Sequence, residues 1–255
     1  MFNKSNTFCI SLLDDTKRRD SFNNQMKRLN IEFTVFDAID CREFKTLNNT
    51  HIPRYSVLKE QCNIMYRDHV FTYYPRTNPA GNNIHLHTGY IGCTISHLFL
   101  YKKLIEDKNN EFYLIFEDGF YFTKNYNESD IISSVKDLPE DFDICFFAPL
   151  NAHRREYPKK DTNITSSFIY EIDVFGYYSG ASMCIVSKKG ATKLLNEYGM
   201  NVVYAIDDLF SVFSLNKKFN AYATYKFSGY GHMEAWSGIE KEKTINQFDL
   251  YDVNN

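Results

Sequence analysis

The stretch YLIFEDGFYF, residues 113–122, is apolar through its first four positions and then sets Glu117 and Asp118 side by side before Gly119. Carboxylates at the end of a buried strand are a common way to hold a divalent cation, since hard ions take oxygen ligands. The same two residues also suit a plain surface turn, and the local sequence leaves both open. Two more acid groups follow apolar runs, Asp14 with Asp15 and Asp37 with Asp40. Arg18 and Arg19 stand close behind the first of them, where a guanidinium can contact a phosphate in bidentate fashion. A solvated helix face would use the same residues. His85 and His87, two apart, suit a metal on one strand face, but no supporting ligand lies nearby in sequence. His97 falls in an apolar helical pattern and reads first as a core histidine.

These residues need elements to position them. TFCISLL is a short apolar run suited to a buried strand, and Phe22, Met26 and Leu29 then recur at helical spacing. IEFTVFDAID reads as a second strand, so the order predicts a parallel pair with a right-handed crossover. Residues 42–87 are polar and aromatic, with PRTNPAGNN a clear loop, and are expected to cover or flank a cleft. Ile91, Ile95, Leu98 and Ile105 predict a helix opening near Thr88. FYLIFED and DFDICFFAPL predict central strands on either side of a polar helix containing SDIISSVKDL. FIYEIDVF predicts another strand after a charged loop. GASMCIVSKKGATKLLNEYG predicts a glycine loop, a strand and a helix stopped by Gly199. AIDDLFSVFSLNKKF predicts a helix with two acids in its first turn, and AYATYKF a late strand.

Strands alternating with helices predict an α/β fold: one Rossmann-like domain over residues 1–255 with a mostly parallel central sheet and the cleft at the strands' carboxyl ends. In such a sheet the three acid groups open toward one crevice. The 255 residues are 44% hydrophobic and 16% aromatic, enough for a sizeable core. A net charge of −3 gives no basic field for nucleic acid or an anionic membrane. No apolar run is long enough to span a bilayer, and the amino terminus reads as a first core strand rather than a signal peptide. The six cysteines are dispersed without a CxxC pair, which predicts a reducing, cytoplasmic setting and no structural zinc. GxSxG, Walker, HExxH and GxGxxG patterns are absent, which argues against serine hydrolase, P-loop and zincin chemistry.

Several blocks together resemble glycosyltransferase family 25, whose members include lipooligosaccharide and collagen galactosyltransferases. ISLLDDTKRRDSF is similar to the family's opening INLDRRPDRRERF, and FTVFDAID to a second strand ending DAxDG, with Cys41 in place of the glycine. TGYIGCTISHLFLYKKLIE resembles GEIGCxLSHxxLW, the most specific block. YLIFEDGFYF stands where the family has LILEDDxxF. GASMCIVSKKGATKLL is similar to GxxGYxISxxGAxKLL, and AIDDLF to PVDxxL. The blocks keep the family's order over roughly residues 7–215.

The resemblance implies a GT-A fold and transfer of galactose or glucose from a UDP-sugar to a glycan or a hydroxylated side chain of a glycoprotein, usually with Mn²⁺ or Mg²⁺. A metal would neutralise charge on the departing diphosphate, and an inverting transfer needs a carboxylate base for the acceptor hydroxyl. Carried over by position, Asp208 is the expected base with Asp207 beside it. Ser11, Leu12, Arg18, Asp37, Ser96, His97, Glu117 and Gly180 are expected at the donor. Asp118, Glu117 and His232 are the expected metal ligands, and Trp236 is either an acceptor platform or a core residue. Gly119 departs from the family, which has an acid there. That departure favours an alternative, a degenerate member that binds a nucleotide sugar or glycan without turnover, and it also admits a metal-independent transferase using cationic side chains.

Overall fold

The computed structural model describes residues 2–40, 63–64, 88–122, 127–147, 150–151, 169–171, 178–179, 181–202, 206 and 218–224. In chain order the elements are β1 (Thr7–Ser11), α1 (Thr16–Leu29), β2 (Thr34–Asp37), β3 (Asn63–Ile64), α2 (Thr88–Glu106), β4 (Phe112–Glu117), α3 (Glu128–Lys136), β5 (Ile144–Phe147), β6 (Leu150–Asn151), β7 (Ile169–Glu171), β8 (Tyr178–Ser179), β9 (Met183–Ser187), α4 (Lys188–Tyr198), β10 (Asn201–Val202) and β11 (Ala221–Thr224). Seven strands form one sheet in the order β2-β1-β4-β9-β5-β11-β7. β1 pairs in parallel with β2 and β4, and β5 with β11; β9 runs antiparallel between β4 and β5, and β7 antiparallel to β11. Five of the seven strands therefore point one way, and the predicted mostly parallel α/β sheet is present.

Side-chain alternation along the strands divides the core in two. Phe8, Ile10, Tyr113, Ile115, Cys184 and Val186 face Leu98, Tyr101 and Leu104 of α2 and Leu194 of α4. Cys9, Leu114, Phe116, Met183 and Ile185 face Phe22 and Met26 of α1 and Ile131 of α3. The helix caps follow from local residues. Asp15 accepts from the Arg18 amide at the start of α1, and Asn30 ends that helix with φ 55°. Asn127 and Asp130 form a reciprocal capping box on α3. Gly199, with φ 59°, ends α4 as the sequence predicts.

The short link from α2 to β4 is organised by Asp107. Its carboxylate accepts from the Asn109 and Asn110 amides, the Asn110 side chain and the Tyr113 hydroxyl. Desolvation opposes the charge, but these donors outweigh it and lower the Asp107 pKa from 3.8 to about 2. A carboxyl lowered on folding stabilises fully above its unfolded pKa and loses that contribution as pH falls through the folded value. The loss of melting temperature on acidification from about pH 4 to about pH 2 is therefore expected to be smaller in Asp107→Asn than in the parent. Equal acid sensitivity in the two proteins, followed by circular dichroism, would count against this role.

Candidate functional site

β1, β2 and β4 are parallel neighbours, so their carboxyl ends lie at one edge of the sheet. One acid from each group predicted to converge there, Asp15, Asp37 and Asp118, meets an arginine of α1. Arg18 Nη2 lies 2.5 Å from Asp118 Oδ1, while the Ser11 hydroxyl donates to Asp118 Oδ2 at 2.6 Å. Arg19 Nη2 donates to Asp37 Oδ1 at 2.6 Å and to the Ser11 carbonyl at 2.9 Å. Arg19 Nε donates to the Leu12 carbonyl and the Ser11 hydroxyl. The start of α1 thus ties together the ends of three strands. Asp37 remains exposed, as does Leu13, whose side chain is 70% accessible just beyond β1.

Burial pushes the Asp118 carboxyl above its usual range, against the Arg18 charge and the Ser11 hydrogen bond, which pull it down. Arg18 Nε is buried and has no hydrogen-bond partner among the described residues. Gly119 gives this corner its shape. A Cβ built there would lie 2.7 Å from Arg18 Nη2, so the guanidinium occupies the space into which a side chain at position 119 would grow.

Glu117 turns the other way. It continues the Tyr113 and Ile115 face of β4 toward α2, whereas Asp118 continues the Leu114 and Phe116 face toward α1. Cys93 Sγ donates to Glu117 Oε1 at 3.2 Å, and His97 Nε2 lies 3.5 Å from the same oxygen. Burial acts against the Glu117 charge, but the adjoining His97 and Cys93, with Arg18, hold the carboxyl below its usual value. His97 is fully buried, with Nδ1 3.4 Å from the Tyr101 hydroxyl. Ser96, also fully buried, accepts from the Ile39 amide and donates to the Gly92 carbonyl, pinning the segment after β2 to α2.

Ser11, Leu12, Arg18, Asp37 and Asp118 are thus brought together by hydrogen bonds and ion pairs, and Glu117 meets His97 on the opposite face of the sheet. The structure does not aim Glu117 and Asp118 at one point. Both Asp118 oxygens are engaged by Arg18 and Ser11, so the pair does not fit a hard cation held jointly by two carboxylates. Gly180, Asp207, Asp208, His232, Trp236 and the His85 to His87 stretch lie outside the described residues. Sequence reasoning gave Arg19 no separate role and did not join Cys93 to His97. The four-residue spacing of that pair on a predicted helix was the available signal, since such residues share a face.

The sequence of this chain decides its family. Residues 4–210 match the family described as Glycosyltransferase family 25 (LPS biosynthesis protein). The chain belongs to glycosyltransferase family 25. Membership makes it a sugar transferase in class, with a sugar donor and an acceptor. No curated protein matches it. Among solved structures, the chain is similar to the A197 protein from STIV, at 11% identity and a TM-score of 0.41 over 88% of this chain and 82% of that one. It is also similar to a glycosyltransferase involved in the glycosylation of the major capsid of PBCV-1, at 8% identity and a TM-score of 0.35 over 81% of this chain and 65% of that one. At these values the assignment rests on the family match. No helix among the described residues is long and apolar enough to cross a membrane.

Proposed function

We propose that this family 25 member is a UDP-sugar-dependent hexosyltransferase that moves galactose or glucose, with inversion, onto a hydroxyl of a glycan or of a protein side chain. The observation that carries the proposal is the arginine corner at the carboxyl edge of β1, β2 and β4. Arg18 and Arg19 are fixed there by Asp118, Asp37 and Ser11. Guanidinium forks match phosphate oxygens, and a held fork loses little freedom on binding. Arg18 Nε is buried without a hydrogen bond, 3.9 Å from Asp15 Oδ2, and adds a donor that a diphosphate oxygen would complete. In the transfer, the acceptor oxygen attacks the anomeric carbon as the bond from that carbon to the diphosphate oxygen breaks. The acceptor proton passes to a carboxylate, and negative charge collects on the leaving diphosphate, where fixed cations lower the barrier.

Asp208 is the proposed base, with Asp207 beside it. Both directly follow Ile206, which is helical and buried in the core cluster on the α2 side of the sheet. Asp118 is already committed to Arg18 and Ser11, so the two arginines, rather than Mn²⁺ or Mg²⁺ on that carboxylate, carry the diphosphate charge. Release of UDP from UDP-galactose or UDP-glucose, in the presence of glycan acceptors, tests the reading. Removing a general base typically lowers turnover about 10²–10⁴-fold, so Asp208→Asn is expected to fall by that amount. Full rate in Asp208→Asn would remove that residue from the role.

Gly119 favours a second reading, binding of a nucleotide sugar without turnover. Arg18 occupies the space where the resemblance places a further acid. Calorimetric UDP binding without release to any acceptor would select this second reading, and no UDP binding would end both.

A further inference from the structure

We propose that Cys93, His97 and Glu117 form a binding site for one divalent transition ion of the zinc class, on the α2 face of the sheet and apart from the Arg18–Asp118 corner. The site does not depend on the transfer reading. Cys93 and His97 are four residues apart on α2, and Glu117 reaches them from the end of β4. One ligand atom from each lies within 4.8 Å of the other two.

The spacing suits a small ion. With zinc about 2.3 Å from sulfur and about 2.0–2.2 Å from nitrogen or oxygen, tetrahedral ligand edges are roughly 3.3–3.6 Å. Cys93 Sγ to Glu117 Oε1 is 3.2 Å and His97 Nε2 to Glu117 Oε1 is 3.5 Å. Two of the three edges are therefore already near their final length, and the third, between Cys93 and His97, is within 4.8 Å.

The second observation concerns His97. Its ring is 0% exposed, and Nε2 is buried with no hydrogen-bond partner while it points at the Glu117 carboxylate. A polar atom left in that state is costly, and a coordinate bond satisfies it. The other ring nitrogen, Nδ1, faces the Tyr101 hydroxyl at 3.4 Å, an outer partner of the kind that orients a ligating imidazole.

The donor set selects the metal. Thiolate and imidazole favour Zn²⁺, Co²⁺ or Ni²⁺ over Mg²⁺ and Mn²⁺. Cys93 and Glu117 are only partly buried, and three protein ligands are one short of a tetrahedral set. A fourth position is left for water or an exchangeable ligand, as in zinc sites that are not purely structural. The Cys93 thiol proton leaves to solvent on binding.

The test uses the full chain, stripped with a chelator and titrated with Co²⁺. One equivalent is expected to bind, with thiolate-to-cobalt charge-transfer absorbance and the visible bands of a tetrahedral site. Zn²⁺ should displace the Co²⁺, and excess Mg²⁺ should not. Cys93→Ser is expected to abolish the charge-transfer band and weaken binding at least about tenfold, whereas Cys145→Ala, whose thiol is buried on the opposite face of the sheet, keeps both. A second readout needs no variant: Zn²⁺ should protect Cys93 from iodoacetamide in the parent protein, read by peptide mass mapping. Absence of stoichiometric binding, binding without the charge-transfer band, its persistence in Cys93→Ser, its loss in Cys145→Ala, or unprotected Cys93 would each overturn the proposal.

Discussion

Gly190→Ala is expected to lower the melting temperature of the protein by roughly 2–12 °C, from about 1–3 kcal/mol of overpacking at about 2–4 °C per kcal/mol. A Cβ at this position would lie 2.2 Å from the Asp143 carbonyl oxygen and 2.7 Å from its carbon. The obstacle is backbone, so it cannot swing aside. Ser187, which caps α4, fixes the same carbonyl by donating to it from its amide at 2.9 Å and from its hydroxyl. The buried Asp143 carboxylate also accepts from Lys193 Nζ and the Asn220 amide. Moving α4 outward to admit one methyl group would therefore break the joint between α4, β5 and the start of β11. Gly119→Ala is the contrast. Its Cβ would meet only the far end of the Arg18 side chain, which can shift while keeping its pair with Asp118, so the loss of melting temperature should be smaller than in Gly190→Ala. Thermal unfolding of both variants checks the pair, and an unchanged melting temperature in Gly190→Ala would refute the packing argument.

Arg18→Ala carries the second large effect, on both stability and ligand binding. Asp118 has only 7% of its side chain exposed, so removing its cation leaves a nearly buried carboxylate with the Ser11 hydroxyl alone. Breaking a buried pair costs about 3–5 kcal/mol, and the 24% exposure of Arg18 brings the expectation below that, to about 2–3 kcal/mol. Most of that cost is the unpaired charge. Asp118→Asn in the Arg18→Ala background should therefore restore most of the stability, a coupling that denaturant titration of the four proteins measures. UDP affinity should fall about 10- to 100-fold in Arg18→Ala and should not return in the double variant, because a hydrogen bond to a charged group is worth about 1.5–3 kcal/mol. If UDP binding recovers together with stability, Arg18 acts only by holding the fold.

Much of this corner was legible in the residues. The acids after TFCISLL, FTVF and YLIF were expected to converge, and Asp15, Asp37 and Asp118 do, since three parallel neighbours share a carboxyl edge, whereas Glu117 turns to the other face. Phe22, Met26 and Leu29 mark the buried stripe of α1, and Gly199 its counterpart's stop on α4. Other features resisted. β9 lies between β4 and β5 and runs against both, although DFDICFFAPL and GASMCIVS read alike as apolar strands. Periodicity reports how a strand is buried and carries no information on which distant strand supplies its hydrogen bonds.

The amino-acid sequence by itself determined the α/β alternation, the family and the chemical types gathered at one edge of the sheet, because these follow from local patterns and their order. Tertiary structure decided what each charge does. Glu117 and Asp118 are adjacent in the chain and read as a metal-binding pair. On a strand, neighbouring side chains take opposite faces, so one meets Cys93 and His97 on α2 while the other closes on Arg18 of α1. Which helix waits on each face is set by packing between segments far apart in sequence, and only the folded chain brings them into contact.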